Sequence, residues 1–299
     1  MIKRPESRGV AICLAVAMMT GLAACSDQSS ASGPPSSAPT TSAPASAAVI
    51  PSPSVAPSVA PSVEPSIAAS QNPAKVVKGT AYRPTIVPAE FTTEITNPYM
   101  PLVPGTALTY KGAGEMNVFN VTDRTREVMG VMTVVVRDRA YENGSLVEDT
   151  EDWFAQDVTG NVWYFGEATA ECDGTRVVSH HGAWEAGVDG AQPGIVMLAS
   201  PEIGDYYRQE YLRGEAEDVA KVVRLDATVV NALGTYPSVV ITEDFTRLEP
   251  AVVEHKKYAP GVGLVAEQIV KGGSGVVELV KIHPSAGSGP STAGDLCRG

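Results

Sequence analysis

The sequence predicts an antiparallel all-β domain, folded as a meander into a strongly curved sheet or a partly closed β-barrel. Three observations carry this prediction. From Thr106 onward, short runs rich in Val, Thr, Tyr and Met alternate apolar and polar residues, the period of a strand with one face buried. Tight-turn signals separate successive runs, Asn143-Gly144 being the strongest short hairpin signal among them. Helical capping boxes and long stripes of 3.6-residue period are scarce, and no βαβ spacing occurs.

The chain opens with a segment that is not part of that domain. Lys3, Arg4 and Arg8 form a positive n-region, Val10 to Leu22 is an uncharged run of 13 residues, and Leu22-Ala23-Ala24-Cys25 follows as a lipoprotein cleavage site. The run is too short to span a bilayer, which takes about 20 residues of helix. Residues 1–24 therefore read as a lipoprotein signal peptide. Cys25 reads as the lipidated first residue of the mature chain, and its acyl groups as the membrane anchor. A diacylglyceryl group supplies two chains at about 0.8 kcal/mol per buried CH₂, enough for stable anchoring.

Residues 25–75 are rich in Ser, Ala, Pro and Thr and include a four-residue repeat from Pro53 through Pro57, Pro61 and Pro65. A proline every fourth residue excludes helix and sheet and favours polyproline II, so the stretch reads as a disordered tether. The β domain is expected over residues 76–284. Its entry, Tyr82 to Pro104, carries Pro84, Pro88, Pro98, Pro101 and Pro104, which forbid regular structure there. Strands are expected at Thr106 to Tyr110, Glu115 to Thr122, Met132 to Tyr141, Ser145 to Phe154, Val162 to Phe165 and Thr175 to His181. Six more follow at Tyr206 to Leu212, Val219 to Val230, Ser238 to Thr246, Val252 to Tyr258, Gly263 to Val270 and Gly275 to His283. Gly214 to Lys221 is the one short helical candidate. Residues 285–299 return to Ser, Gly, Pro and Ala and read as a flexible tail. A meander is preferred over an immunoglobulin-type sandwich because hairpin links recur in order and the Cys…Trp…Cys spacing is missing.

Charge limits the partners. The chain carries a net −12. Three of the 22 basic and one of the 34 acidic residues fall in residues 1–24, leaving 19 against 33, or −14, from Cys25 onward. Such a surface disfavours nucleic acid and offers no polybasic patch to a membrane. Of four cysteines, Cys13 leaves with the signal and Cys25 is acylated. Cys172 and Cys297 remain as a candidate disulfide in an oxidising compartment, with two unrelated thiols as the alternative. A bridge closing so long a loop would contribute roughly 4–5 kcal/mol in the chain-entropy model.

The densest chemistry lies between Glu148 and Glu167. On a strand, Glu148, Thr150, Asp152, Phe154 and Gln156 share one face, while Asp149, Glu151, Trp153 and Ala155 share the other. Acid and aromatic residues on both faces mark Asp152, Trp153, Asp157 and Trp163 as a candidate ligand or acidic site. Paired carboxylates there could serve acid–base work or Ca²⁺. The competing expectation is a solvated edge leading into a hairpin whose aromatic rings fill the core. EF-hand spacing is missing, and Asp157 and Asn161 suit a turn better than an ion. The adjacent His180 and His181 would point to opposite faces of a regular strand, and HExxH, CxxC and GxSxG signatures are absent. Gly261 to Ala266 spells the dinucleotide fingerprint, but in the setting of a turn entering a strand. No cofactor or metal is expected.

Four stretches resemble an uncharacterised family of bacterial exported proteins and lipoproteins: Asn97-Pro-Tyr-Met-Pro-Leu-Val-Pro-Gly-Thr106, Asp152 to Glu167, Trp184 to Gly190, and Tyr258-Ala-Pro-Gly-Val-Gly-Leu-Val265. Met100 and Phe154 stand where the family pattern has Phe and Tyr. The resemblance implies export and an all-β domain, and it supplies no catalytic residues.

Together these readings describe a lipid-anchored protein of the bacterial cell envelope, extracytoplasmic, whose β domain is a non-enzymatic binding or carrier module for an amphiphilic ligand or envelope component. The alternatives are a hydrolase using carboxylates from Glu148 to Asp157 with His180 or His181, and a passive structural cell-wall protein. A cavity lined by Val, Leu and Met would favour the carrier, convergent carboxylates in a cleft the enzyme, and a filled interior the structural role.

Overall fold

The computed structural model describes residues 82–112, 114–284 and 296–297. The signal peptide expected over 1–24, the tether over 25–75 with Cys25, and the tail from 285 except Leu296 and Cys297 lie outside the described residues.

The entry segment is irregular apart from a 3₁₀ turn at Pro88–Glu90 and a short strand, β1 (Phe91–Thr92). Five long strands follow: β2 (Thr106–Gly112), β3 (Glu115–Val128), β4 (Val131–Glu142), β5 (Ser145–Asp157) and β6 (Val162–Asp173). Five short ones come next: β7 (Arg176–Ser179), β8 (Trp184–Glu185), β9 (Gln192–Met197), β10 (Tyr206–Arg208) and β11 (Glu210–Tyr211). A second series completes the domain: β12 (Asp218–Asn231), β13 (Gly234–Thr246), β14 (Val253–Ala259), β15 (Gly263–Lys271) and β16 (Gly275–Pro284).

All pairings are antiparallel, in the order β10-β12-β13-β14-β15-β16-β2-β3-β4-β5-β6-β9-β11. Two meanders, β2–β6 and β12–β16, are thus joined edge to edge where β16 pairs with β2. The far edges are brought together by one segment. Tyr206–Arg208 pairs with β12, and two residues later Glu210–Tyr211 pairs with β9. The result is a nearly closed barrel-like sheet, the curved meander that the sequence predicts.

Local chemistry explains the hairpins. Asn143 and Gly144 both have positive φ, 50° and 83°, between the paired residues Glu142 and Ser145. This is the backbone that a two-residue hairpin turn needs to match strand twist. The helix expected over Gly214 to Lys221 does not form. Leu212 and Ala216 bridge each other across a turn, and from Asp218 the chain is strand. As strand it buries Val219, Ala220 and Val222 against β13, a burial that a one-turn helix could not match. The strand expected over Tyr206 to Leu212 is split at Gln209, where the chain steps from one sheet edge to the other.

Direct cross-strand partners share a face. On the inner face one row runs Leu108, Phe119, Asp138, Thr150, Thr169, and the next Val121, Val136, Asp152, Glu167. The second meander continues with Val222, Thr242, Lys256, Glu267 and Val277. Phe119, Val121, Val136, Phe154, Tyr164, Val240, Tyr258 and Leu279 pack among these groups, so the interior is filled by side chains. On the outer face, Arg137 pairs with Asp149 at 2.6 Å, Arg124 with Glu151, and the Arg126 guanidinium sits 4.0 Å from the centre of the Trp153 ring. Cys172 and Cys297 are joined by a disulfide, and the Cys297 N–H donates to Asp149 Oδ2 at 3.0 Å.

Candidate functional site

Sheet curvature brings together residues that strand order separates. Asp138 of β4 and Tyr258 of β14 line one pocket although β15, β16, β2 and β3 lie between their strands. Its walls are Leu108, Tyr110, Phe119 and Leu264, and its cover is Met100, Pro101 and Leu102. The free space is about 30 Å³, room for about two water molecules.

The cover is held by the Asn97-Pro98 stretch. The Asn97 side chain donates to the carbonyls of Gly160 at 2.9 Å and Leu198 at 3.0 Å, and its Oδ1 accepts from the Tyr99 N–H at 2.9 Å. Gln156 Oε1 accepts from the N–H groups of Thr96 and Asn97, at 2.9 and 2.8 Å. The Gly261 N–H donates to the Pro98 carbonyl at 2.7 Å. The stretches Asn97 to Thr106, Asp152 to Glu167 and Tyr258 to Val265 therefore meet at this pocket. One covers the pocket, one supplies Gln156 and Gly160 to pin the cover, and Tyr258 to Leu264 forms a wall.

The pocket's polar end belongs to a larger set of buried ionisable groups. Burial pushes the Asp138 carboxyl well above the usual range, with the charges of Asp152 and Glu148 adding to the rise and a 3.2 Å hydrogen bond from Asn117 opposing it. Asp152 is raised to about 7, by burial first; the Tyr164 hydroxyl, donating at 2.7 Å, opposes the rise and the Glu148 charge adds to it. Glu167, the direct cross-strand partner of Asp152, is raised by burial and then by Asp152 and Glu210. Burial also raises Glu210, with the Asp218 charge adding to it.

A second group surrounds Lys256. Its ammonium lies 3.5 Å from Asp244 Oδ2, which also accepts from Gln209 Nε2 at 3.1 Å. Burial opposes the charged ammonium, but Asp244 and Glu267 outweigh it and raise its pKa. Glu267 is raised to about 8, by burial first and then by the Glu254 charge, while Lys256 lowers it. Burial pushes the Tyr258 phenol up as well, and its hydroxyl has no hydrogen-bond partner among the described residues. Burial favours the protonated acids and un-ionised phenols, forms that can donate a hydrogen bond to a ligand oxygen.

Of the four sequence-predicted site residues, only Asp157 and Trp163 touch each other, and the four form no single site. Asp152 lies on the inner face and Trp153 on the outer, beneath Arg126. Asp157 organises its turn. It accepts from the N–H and hydroxyl of Thr159 at 2.8 and 2.6 Å, and from the N–H and side chain of Asn161 at 3.0 and 2.9 Å. It also accepts from the Trp163 indole at 2.7 Å. Trp163 packs edge-on against Phe91, with centroids 5.9 Å apart. His180 and His181 lie beyond the end of β7, and His180 Nδ1 is 2.8 Å from the Thr169 carbonyl. Sequence reasoning missed Asp138, Tyr258 and Glu167; their signal, polar residues at inner-face parity, needed the register to be read.

No family model and no curated relative matches the chain. Among solved structures it is similar to a candidate exported protein with YmcC-like fold from Bacteroides fragilis NCTC 9343, at 16% identity and TM-score 0.39, over 62% of this chain and 98% of that one. It is also similar to a candidate lipoprotein from Parabacteroides distasonis ATCC 8503, at 10% identity and TM-score 0.36, again over 62% and 98%.

Proposed function

We propose that the chain is a lipid-anchored, extracytoplasmic binding module whose barrel-end pocket takes an amphiphilic small molecule. The pocket carries the reading: an apolar lining with two convergent polar groups, Asp138 and Tyr258, at the mouth of a β-barrel, a common setting for ligand sites. The apolar part of the ligand packs on Leu108, Phe119 and Leu264, and its polar atom meets the Asp138 carboxyl and the Tyr258 hydroxyl. With about 30 Å³ free, anything larger than a few atoms enters by displacing Met100 and Leu102. The lipobox at Cys25 supports the anchor and the location.

Titration with the fluorescent probe N-phenyl-1-naphthylamine tests the pocket. Met100→Ala should strengthen probe binding and Leu102→Phe should weaken it. Equal binding by both variants and the parent, or no binding by any, would end the reading. The filled interior favours one alternative, a passive structural domain, and that domain would show the second result. Intact mass tests the anchor: Cys25→Ala should leave the chain unprocessed and unacylated.

A further inference from the structure

A second depression lies away from the barrel-end pocket, on the outer face of β10, β12 and β13. It is a cleft of about 360 Å³. Tyr206, opposite Lys221 on β12, and Phe245, opposite Val219, form its floor, with ring centroids 5.9 Å apart. Three cations reach it from separate segments: Arg208, Arg247 and Lys271. Two carboxylates also line it, of which only Glu217 is paired with a permanent cation. Glu217 is bound by Arg247 Nε at 2.5 Å, and Glu243 lies 3.8 Å from His255 Nε2. Among the described residues, Arg208 and Lys271 form no ion pair.

Arg208 has the geometry of a receptor. Its guanidinium carbon stands 4.7 Å from the Tyr211 ring centre and 5.8 Å from that of Tyr82, so two aromatic faces fix the side chain without neutralising it. Among the described residues its buried Nε makes no hydrogen bond, and its one polar contact is a long one, 3.5 Å from a terminal nitrogen to the Glu217 carbonyl. A pre-oriented guanidinium whose terminal nitrogens make only that long contact matches an anion, and Lys271 adds a point charge. On a chain of net −12, a lining whose three cations outnumber its two carboxylates is a local reversal of sign.

We propose that this cleft binds a small organic oxyanion, a carboxylate or phosphate monoester carried on a flat or ring-shaped body. The oxyanion sits on Arg208 and Lys271, and the body lies on Tyr206 and Phe245. The barrel-end pocket plays no part in it.

The test is calorimetric titration of the intact chain with benzoate, phenyl phosphate, inorganic phosphate and benzyl alcohol. Benzoate or phenyl phosphate should bind more tightly than inorganic phosphate, which lacks the ring, and than benzyl alcohol, which lacks the charge. Binding by only one of the two ring anions supports the proposal and selects the anion. Arg208→Gln should weaken the ring anion by about tenfold, with Arg208→Lys intermediate because it keeps charge without the planar fork. Lys271→Gln leaves the packed residues untouched and should weaken binding by about threefold while flattening its dependence on salt, so it serves if Arg208→Gln unfolds. No binding by either ring anion, equal binding by benzyl alcohol or inorganic phosphate, or unchanged affinity in Lys271→Gln and in folded Arg208→Gln overturns the proposal.

Discussion

Inside the barrel, the Tyr164 hydroxyl donates a 2.7 Å hydrogen bond to Asp152 Oδ1, and the direct cross-strand partner of Asp152 is a second buried acid, Glu167. An acid pair in this setting stores protons, and that fixes the sign of the pH dependence. An unfolded Asp titrates near 3.9, whereas Asp152 in the folded chain titrates at about 7. Between those values the native state binds more protons than the unfolded chain, so stability falls as pH rises through the window and levels above it. Glu267, at about 8, extends the loss upward from an unfolded value near 4.3. The raised Lys256 contributes nothing in this range, because it is charged in both states until pH exceeds about 10.4. The thermal midpoint should therefore be higher near pH 5 than near pH 8. Asp152→Asn keeps an acceptor for Tyr164 and cannot ionise. It should be more stable than the parent at pH 8 and gain nothing at pH 5. A parent midpoint that rises from pH 5 to 8 would refute this account.

Trp163 should be a stability residue. It is 2% exposed, packs edge-on against Phe91 and donates to Asp157. Trp163→Ala removes a buried ring and should cost about 3–5 kcal/mol in chemical denaturation. Trp163→Phe keeps the ring face and forfeits the bond to a carboxylate, at about 1.5–3 kcal/mol. A loss below about 1 kcal/mol for the alanine variant would show that the ring is not part of the core.

The Cys172–Cys297 bridge spans 125 residues of sequence. In the chain-entropy model a loop of that length contributes about 5 kcal/mol, an upper figure where the unfolded chain keeps structure. Cys297→Ser, or reductant, should lower the denaturation midpoint by a large part of that, since it also frees the Cys297 backbone from Asp149. Identical midpoints with and without reductant, together with two titratable thiols, would mean that the bridge does not form.

These tests also mark where the sequence was readable. Strands of ten or more residues announce themselves by alternation, and Asn143-Gly144 sets its hairpin from two residues alone. What alternation cannot say is which face is inside. Both faces of β5 are covered, the inner by the opposite barrel wall and the outer, at Trp153, by Arg126. Acids on both faces therefore suggested a solvated edge, whereas Asp149 and Asp152 are both buried. Asp138, Glu167, Glu210 and Lys256 look like surface charges for the same reason. β9 is absent from the expected strands; Pro193 and Gly194 are poor strand residues, and the closing contact explains why a strand carries them.

That contact gives the last prediction. Gly194 of β9 lies against the step in the closing segment, and a Cβ there would stand 2.2 Å from the Gln209 carbonyl carbon and 2.5 Å from the Glu210 nitrogen. Both are backbone atoms, so no rotamer relieves the overlap, and β11 must leave β9 to admit even a methyl group. The segment that moves is the one joining the two sheet edges. It carries Tyr207 and Glu210, which are 1% and 0% exposed, so parting the seam wets a phenol and an acid whose charged form burial disfavours. Gly194→Ala should cost about 1–3 kcal/mol, as overpacking does. It should also speed amide hydrogen exchange in β9 and in residues 206–211 while leaving β2 to β5 protected. Gly273→Ala is the control, because its Cβ would meet only the Ile269 side chain, at 3.4 Å. If Gly194→Ala matches that control in both stability and exchange, the barrel is not closed through this segment.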